Sequence, residues 1–463
     1  MAKYQKYAEY KDSGVEWLGE IPSHWNLYSL KRSVDKCTNG FWGNEPDGRN
    51  DLCVLRVADF NRDNFTINED KLTLRSVLPK EAESRLLKKG DLLIEKSGGG
   101  EKTLVGCVVQ FDKDFPAITS NFVAKMTPNV ITDSKYLTYA FAHLYSGRVN
   151  FPSIKQTTGI QNLDSEAYLM EKFGFPSKNE QIQIANFLDH ETTKIDHLIE
   201  KQQQLIELLK EKRQAVISHA VTKGLDPNVP MKDSGVAWLG EVPEHWDIKK
   251  IKYLGSILNG YAFPSDGFTE EGIKVLKISN IQTMYLDWTD LSFVNENQAK
   301  KLEQFLVKKG DLVFALTRPI ISTGIKATLM DLDEKILLNQ RNAILRPNGL
   351  CIQKWLYYMI LNQNFVQEFN NQIDKTGQQP NISTVAIGNL EISVAPIEEQ
   401  IKIVEFIAEK VERIDDLIKK AESAIQLMQE RRTALISAAV TGKIDVRHWQ
   451  APNVTEADTE LSA

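Results

Sequence analysis

Residues 11–25 read KDSGVEWLGEIPSHW and residues 232–246 read KDSGVAWLGEVPEHW, differing only at Glu16/Ala237, Ile21/Val242 and Ser23/Glu244. Chance does not produce such a pair, so the chain is an internal repeat, and that decides how the rest is read. Moving outward, offsets of 219 to 221 recover weaker pairs: LRVADF (from Leu55) with LKISNI (from Leu276), KKGDLLI (from Lys88) with KKGDLVF (from Lys308), and MTPN (from Met126) with LRPN (from Leu345). Further on, NEQIQIANFL (from Asn179) matches EEQIKIVEFI (from Glu398), and KRQAVISHAVT (from Lys212) matches RRTALISAAVT (from Arg431). The duplication spans nearly all 463 residues.

The repeated unit has three parts. A Trp-Gly-Pro-Trp opening is followed by a mixed region in which β-rich runs (LCVLRVADF, GDLLIEK, TLVGCVVQF) alternate with helical patterns such as KYLTYAFAHLYSG, the mark of a compact α+β domain. Each unit closes with a polar-apolar stretch free of Gly and Pro. Stepping by three and four gives Ile195, Ile199, Gln202, Ile206, Leu209, Arg213, Val216, Ala220 in the first and Ile414, Ile418, Ala421, Ile425, Met428, Arg432, Leu435, Ala439 in the second, a coiled-coil seam twice over. Ser177-x-x-Glu180 predicts a capping box at the first helix start. A helix of about 45 residues would be about 67 Å long, too long for one small domain and suited to a strut.

The expected architecture is therefore two α/β heads in tandem repeat, joined by two long helices that bury their seams against each other as an antiparallel coiled coil. The expected segments are an opening at 1–25, a first head at 26–176, a long helix at 177–224, a linker with the repeated segment at 225–246, a second head at 247–396, a distal helix at 397–441 and a tail at 442–463. The tail turns acidic and loses its periodicity, so its last dozen residues are expected to be disordered.

Composition narrows the function. The chain carries 56 basic and 62 acidic residues, net −6, so no bulk positive charge recommends coating a polyanion, and DNA binding would have to be local. Each head is near neutral, with 20 basic against 19 acidic residues over 26–177 and 16 against 15 over 247–393. There is no apolar run of membrane length and no apolar leader at the start, which predicts a cytoplasmic protein. Four dispersed cysteines (Cys37, Cys53, Cys107, Cys351) without a C-x-x-C pair argue against a disulfide framework or a thiolate zinc site.

Catalytic constellations are missing. The glycine loop Ser97–Gly100 followed by Glu101-Lys102-Thr103 lacks the spacing of a phosphate loop, and no Asn/Asp-Pro-Pro-aromatic run of an adenine methyltransferase occurs. His190, His197 and His219 match Glu409, Asp416 and Ala438 in the second copy, which weighs against a metal role. Asp311 with Asp333-Glu334-Lys335 faintly suggests a nuclease, but a hairpin turn is the better reading. Trp17, Trp25, Trp238 and Trp246 could be base-stacking platforms; their identity in both copies beside Gly and Pro favours buried anchors.

The paired Pro-to-Glu-Gln helix starts (Pro176 to Gln181, Pro396 to Gln400), the motifs FPSKNEQIQIANFLD and APIEEQIKIVEFI, the upstream segments at 159–162 and 377–381 and the duplicated WLGE-x-P-x-HW together resemble the specificity subunit of type I restriction-modification systems, over essentially the full length. The resemblance implies a non-catalytic subunit. Each head would read one half of a split, asymmetric double-stranded DNA site, and the coiled coil would set the unread spacer. Two modification (methyltransferase) subunits would dock on the helices, with restriction (translocase/endonuclease) subunits added. S-adenosylmethionine, ATP and Mg would belong to those partners, and this chain would hold no cofactor or metal.

Within that frame the candidate DNA-contacting residues are the polar or basic segments at equivalent places in each head. They are Lys96, Ser97, Gly98, Lys102, Thr103, Ser120, Asn121, Lys155, Gln156 and Gln161 in the first, and Thr317, Arg318, Asn339, Gln340, Arg341, Lys375, Gln378 and Gln379 in the second. Arg suits guanine and Asn or Gln adenine, whereas some Lys and Arg would only hold phosphates. The competing reading is a two-headed protein–protein scaffold without DNA specificity. Arg213 and Arg432, polar in an apolar seam, would either pair with carboxylates across it or mark a docking point.

Overall fold

The computed structural model describes residues 4–99, 103–157 and 159–451; Lys102 and the last dozen residues of the tail lie outside them. The chain divides into two compact units, residues 1–202 with 423–463, and residues 203–422. Each unit thus holds one head and one half of each long helix. No helix among the described residues is long and apolar enough to cross a membrane.

The long helices run Lys178–Lys223 and Ile397–Val440. Neither contains Gly or Pro, a proline lies just upstream of each, and Gly224 (φ 76°) and Gly442 (φ 72°) follow them in left-handed conformation, so start and stop are written in residue chemistry. Seam positions Ile195, Ile206, Leu209, Ala220, Ile414, Ala421, Leu435 and Ala439 are buried. In the first unit Gln183 reaches the Trp449 carbonyl and Asp196 meets Arg432. In the second, Arg213 meets Asp415 while Gly224 lies against Glu399. As one helix advances its partner recedes, so the pairing in each unit is antiparallel.

In the first unit a four-stranded antiparallel sheet has the order 108–110, 92–95, 123–128, 34–39. In the second the corresponding sheet has the order 327–329, 312–315, 342–347, 255–259. Leu92 and Ile94 face the core shared with the helices and Leu93 faces the opposite core; Leu312, Phe314 and Val313 divide in the same way. That two-sided burial explains why GDLLIE and GDLVFA read as continuous apolar runs. A smaller sheet lies against the outer core, built on a parallel pair in both heads: 51–55 with 117–119, and 273–276 with 336–338. Asn39-Gly40 and Asn259-Gly260 lead out of the first strand of each large sheet, and a Cβ at Gly40 or Gly260 would lie 2.1 Å from the Ser120 or Asn339 carbonyl oxygen. Only glycine permits that approach.

The repeated opening folds alike in both units. Asp12 and Asp233 accept from the Gly14 and Gly235 amides, Ser13 and Ser234 from the Val15 and Val236 amides, and the four repeated glycines Gly14, Gly19, Gly235 and Gly240 have positive φ. KDSGV is thus a turn written in side-chain hydrogen bonds. Trp25 and Trp246 are fully buried, each carrying about 4–6 kcal/mol of apolar transfer free energy before entropy is charged against it. Trp17 and Trp238 are half-buried, against Phe173 and Phe365. All four are anchors.

The tail is built into the first unit at its beginning, ahead of the last dozen residues, which lie outside the described ones. Gly442 accepts from the Tyr10 hydroxyl, the Asp445 amide donates to Gln5, and Trp449 packs edge-on against Phe187. The first unit is closed by the two ends of the chain.

Candidate nucleic-acid interface

Each head is held to a helix start by an adjacent Glu-Gln pair. Glu180 accepts from Trp25 Nε1 (3.0 Å), the Tyr7 hydroxyl (2.8 Å) and pairs with His24 Nε2 (3.0 Å). Glu399 accepts from Trp246 Nε1 (3.1 Å) and pairs with His245 Nε2 (2.8 Å). The neighbouring glutamines do the same work in both copies: Gln181 accepts from the Asp133 amide and donates to Pro176, and Gln400 accepts from the Ile352 amide and donates to Ala395. The predicted capping box is only half made. The Glu180 amide donates to Ser177 Oγ at 3.4 Å, but the Glu180 carboxylate is drawn to the His-Trp pair instead of back to its own helix end.

The candidate segments, far apart in sequence, meet at one edge of each head. In the first, the strand 92–95 runs on past Lys96 into Ser97-Gly98, which pairs with 160–163, which in turn pairs with 154–157. The Lys96 amide donates to Phe122 and its carbonyl accepts from Leu163. In the second head the Leu316 amide donates to Arg341 and its carbonyl accepts from Ile382, Thr317 bridges Asn381, and the Arg318 amide donates to Pro380. The same backbone knot thus joins the equivalent segments twice, as a three-stranded sheet in one head and as single bridges in the other.

The side chains at this edge differ in availability. Ser120 (1% exposed), Gln161 (5%) and Thr317 (8%) are buried, and Gln161 Oε1 accepts from the Val105 amide, so these three lie beneath the surface of the edge. Gly98 and Asn339 are half-buried. Lys96 donates to Asn39 Oδ1, Ser97 to Asn162 Oδ1, and Lys155 pairs with Asp164. Asn121, Gln156 and Thr103 are exposed, as are Arg318, Gln340, Arg341, Lys375 and Gln378, with Gln379 half-buried. Neither Arg318 nor Arg341 has a carboxylate partner among the described residues.

Sequence reasoning missed what connects the edge to the coil. Glu95, wholly buried one residue before Lys96, pairs with Arg62 at 2.9 Å; burial pushes its carboxyl up, against the pull of the guanidinium. Arg62 lies in a hairpin whose Phe65 (φ 60°) sits under the Arg432 guanidinium, 5.8 Å from ring centre to charge. Arg432 in turn meets Asp196 at 2.9 Å. In the second unit the corresponding turn carries Met284 (φ 77°), its sulfur 3.2 Å from Arg213 Nη2, and Arg213 lies 3.3 Å from Asp415. Thr283 and Met284 bond to Ile325 and Ala327, in and just beyond the ribbon that follows Arg318. Each seam arginine is therefore paired across the coil and touched by its own head.

The other chemical candidates resolve as structure. Asp311 accepts from the Lys308 amide and pairs with Arg346, and Glu334 pairs with Lys274, so two carboxylates of the faint nuclease pattern are spent on a turn and a surface pair. Among the described residues no three His, Cys, Asp or Glu side chains converge as a metal would require. His143, in the first head's helix, is pushed down to about 4 by burial.

The comparisons with known proteins agree with one another. A family model described as the type I restriction modification DNA specificity domain matches residues 57–208 and 243–427. The type I restriction enzyme MjaVIII specificity subunit of Methanocaldococcus jannaschii is 30% identical over 72% of this chain and 75% of its own length. The EcoKI specificity subunit of Escherichia coli K12 is 22% identical over 82% of this chain and 80% of its own. In fold, a chain solved in work on complex assembly and conformational transition of the type I R-M system superposes with a TM-score of 0.69 at 14% identity, covering 91% of this chain and 98% of that one. The HsdS subunit from Thermoanaerobacter tengcongensis superposes at 0.53 and 13% identity, covering 92% and 98%.

Proposed function

This chain belongs to the type I restriction-modification DNA specificity family, and on that premise we propose that its two edges read the two halves of one split DNA site. The observation that carries the reading is the repeated backbone knot at Lys96 and Leu316. It presents loops from three distant stretches of sequence at one place in each head, on an invariant frame with different side chains. A duplicated chain can let its two readers diverge, so the site it addresses need not be palindromic, unlike that of a symmetric dimer.

The coil sets how many base pairs separate the halves. The anchored helix starts, alike in both copies, suit a pair of identical modification subunits, one for each repeat. Those partners supply S-adenosylmethionine and the methyl transfer; restriction subunits, with ATP and Mg, supply translocation and cleavage. The chain itself directs chemistry that it does not perform. Bound near the edges, Lys375, Arg341 and Lys155 hold phosphates, and exposed Asn121, Gln156, Gln340 and Arg318 face base edges.

The test is adenine-methylation mapping of genomic DNA from cells carrying this chain with a compatible modification subunit, against cells carrying that subunit alone. A new split motif dependent on the chain is expected. Assembly of the complex without any chain-dependent motif, together with duplex binding that has no salt slope, would instead establish a protein scaffold.

A further inference from the structure

We propose that Arg318 is the specificity-determining residue that commits the second head to a guanine at one position of its half-site, an inference that rests on the DNA-reading function above. Its side chain is exposed and its guanidinium has no carboxylate partner among the described residues. Its backbone is unusual: φ is 48°, in the left-handed region, although the residue before a proline is sterically biased toward extended conformation. That conformation is enforced from both sides. The Arg318 amide donates to Pro380 at 2.8 Å, Thr317 before it is buried and bridged to Asn381, and buried Pro319 after it accepts from the Lys326 amide at 2.7 Å.

The repeat supplies a control. In the sequence register of the two KKGD segments the residue equivalent to Arg318 is Gly98, which also has a positive φ, 143°, but in a different conformation from the 48° of Arg318. Both heads turn the backbone to positive φ at this place, the first with a glycine at no steric cost and the second with an arginine held under strain. Strain held by over-determined surroundings collects at functional sites. A clamped backbone sends the guanidinium out from a fixed base, which suits the planar, bidentate contact to guanine O6 and N7. Arg341, also exposed and without a carboxylate partner among the described residues, has an ordinary negative φ and carries no such strain, which leaves it the part of a phosphate contact.

The experiment is methylation mapping with the full chain and its modification subunit, for the wild type, Arg318→Gly and Arg341→Ala, with thermal melting of each purified chain. Arg318→Gly relieves the strain, so its melting temperature should equal or exceed the wild type's. Its motif should lose discrimination at one guanine in one half-site, by roughly 10-fold or more, while every other position is kept. Arg341→Ala should lower methylation at all sites without changing the motif. A wild-type motif left intact by Arg318→Gly, or weakened evenly at every position, would overturn the guanine assignment while leaving the DNA-reading function standing. A wild-type chain that directs no motif at all would overturn both.

Discussion

At the first helix start Glu180 holds Trp25, His24 and Tyr7; at the second, Glu399 holds Trp246 and His245. At the two edges, by contrast, what recurs among the described residues is the backbone bonds around Lys96 and Leu316. The first edge is a sheet whose Lys96, Ser97 and Lys155 are engaged with their own neighbours, and at the second Arg318 and Arg341 have no carboxylate partner among the described residues. The anchors are repeated in their side chains, the edges only in their frame. Side-chain hydrogen bonds fix a geometry that both copies must share, whereas a frame made of backbone bonds tolerates any side chain mounted on it. A reader built this way can change its target without disturbing how its head is carried.

The anchors are equal in plan and unequal in depth, and this gives the largest expected effect. Glu180 is 7% exposed and serves three partners, while the Glu399 side chain is 29% exposed and serves two. Truncating a buried acceptor leaves its donors unpaired. Glu180→Ala should therefore cost about 2–4 kcal/mol and Glu399→Ala about 1–2 kcal/mol, read from urea unfolding of the whole chain. Equal costs would mean that Tyr7, which only the first copy supplies, contributes nothing.

Acid should separate the two units next. His143 has a folded pKa of about 4, set by burial beside Trp17, against about 6.5 when unfolded. The depressed value makes the unfolded chain bind the extra proton first. The contribution is fully present above pH 6.5 and is lost as pH falls toward 4, up to about 3 kcal/mol in all. The second copy has Asn362 at the corresponding place. Between pH 6.5 and 4 the first unit should lose stability in a way that His143→Gln abolishes, monitored by hydrogen exchange in each unit. An acid response of the same size in the variant would locate the sensitivity elsewhere.

What was legible in the sequence follows the same division. The repeat, the two long helices and the buried tryptophans could be read because helix periodicity, the absence of Gly and Pro and the identity of the WLGE-x-P-x-HW segment in both copies are written in short contiguous stretches. The capping box failed at Glu180 because a tryptophan 155 residues away competes for the carboxylate better than the helix's own amide. Gln161, Ser120 and Thr317 read as surface candidates because polarity marks the edge segments, but polarity does not say which side of a segment faces inward. Trp449 was lost in a segment without period, since it packs through one ring against Phe187 and His190. The link from edge to coil was invisible because Arg62, Glu95, Phe65 and Arg432 share no spacing, only proximity.

That link carries the smallest and most discriminating prediction. Both seam arginines face a carboxylate of the other copy, but Arg432 is 9% exposed with a bond of 2.9 Å, and Arg213 is 23% exposed with a contact of 3.3 Å. The partner aspartates, 41% and 48% exposed, stay hydrated, so neither pair approaches the value of a fully buried one. Double-mutant cycles should give a coupling of about 1 kcal/mol for Arg432 with Asp196 and about 0.3–0.5 kcal/mol for Arg213 with Asp415. The second cycle should pass to the sulfur: Met284→Ala should weaken what remains at Arg213, as Phe65→Ala should at Arg432. Couplings that vanish in both units would mean the hairpins alone carry each head on the coil, and the arginines would then be free to serve whatever docks there.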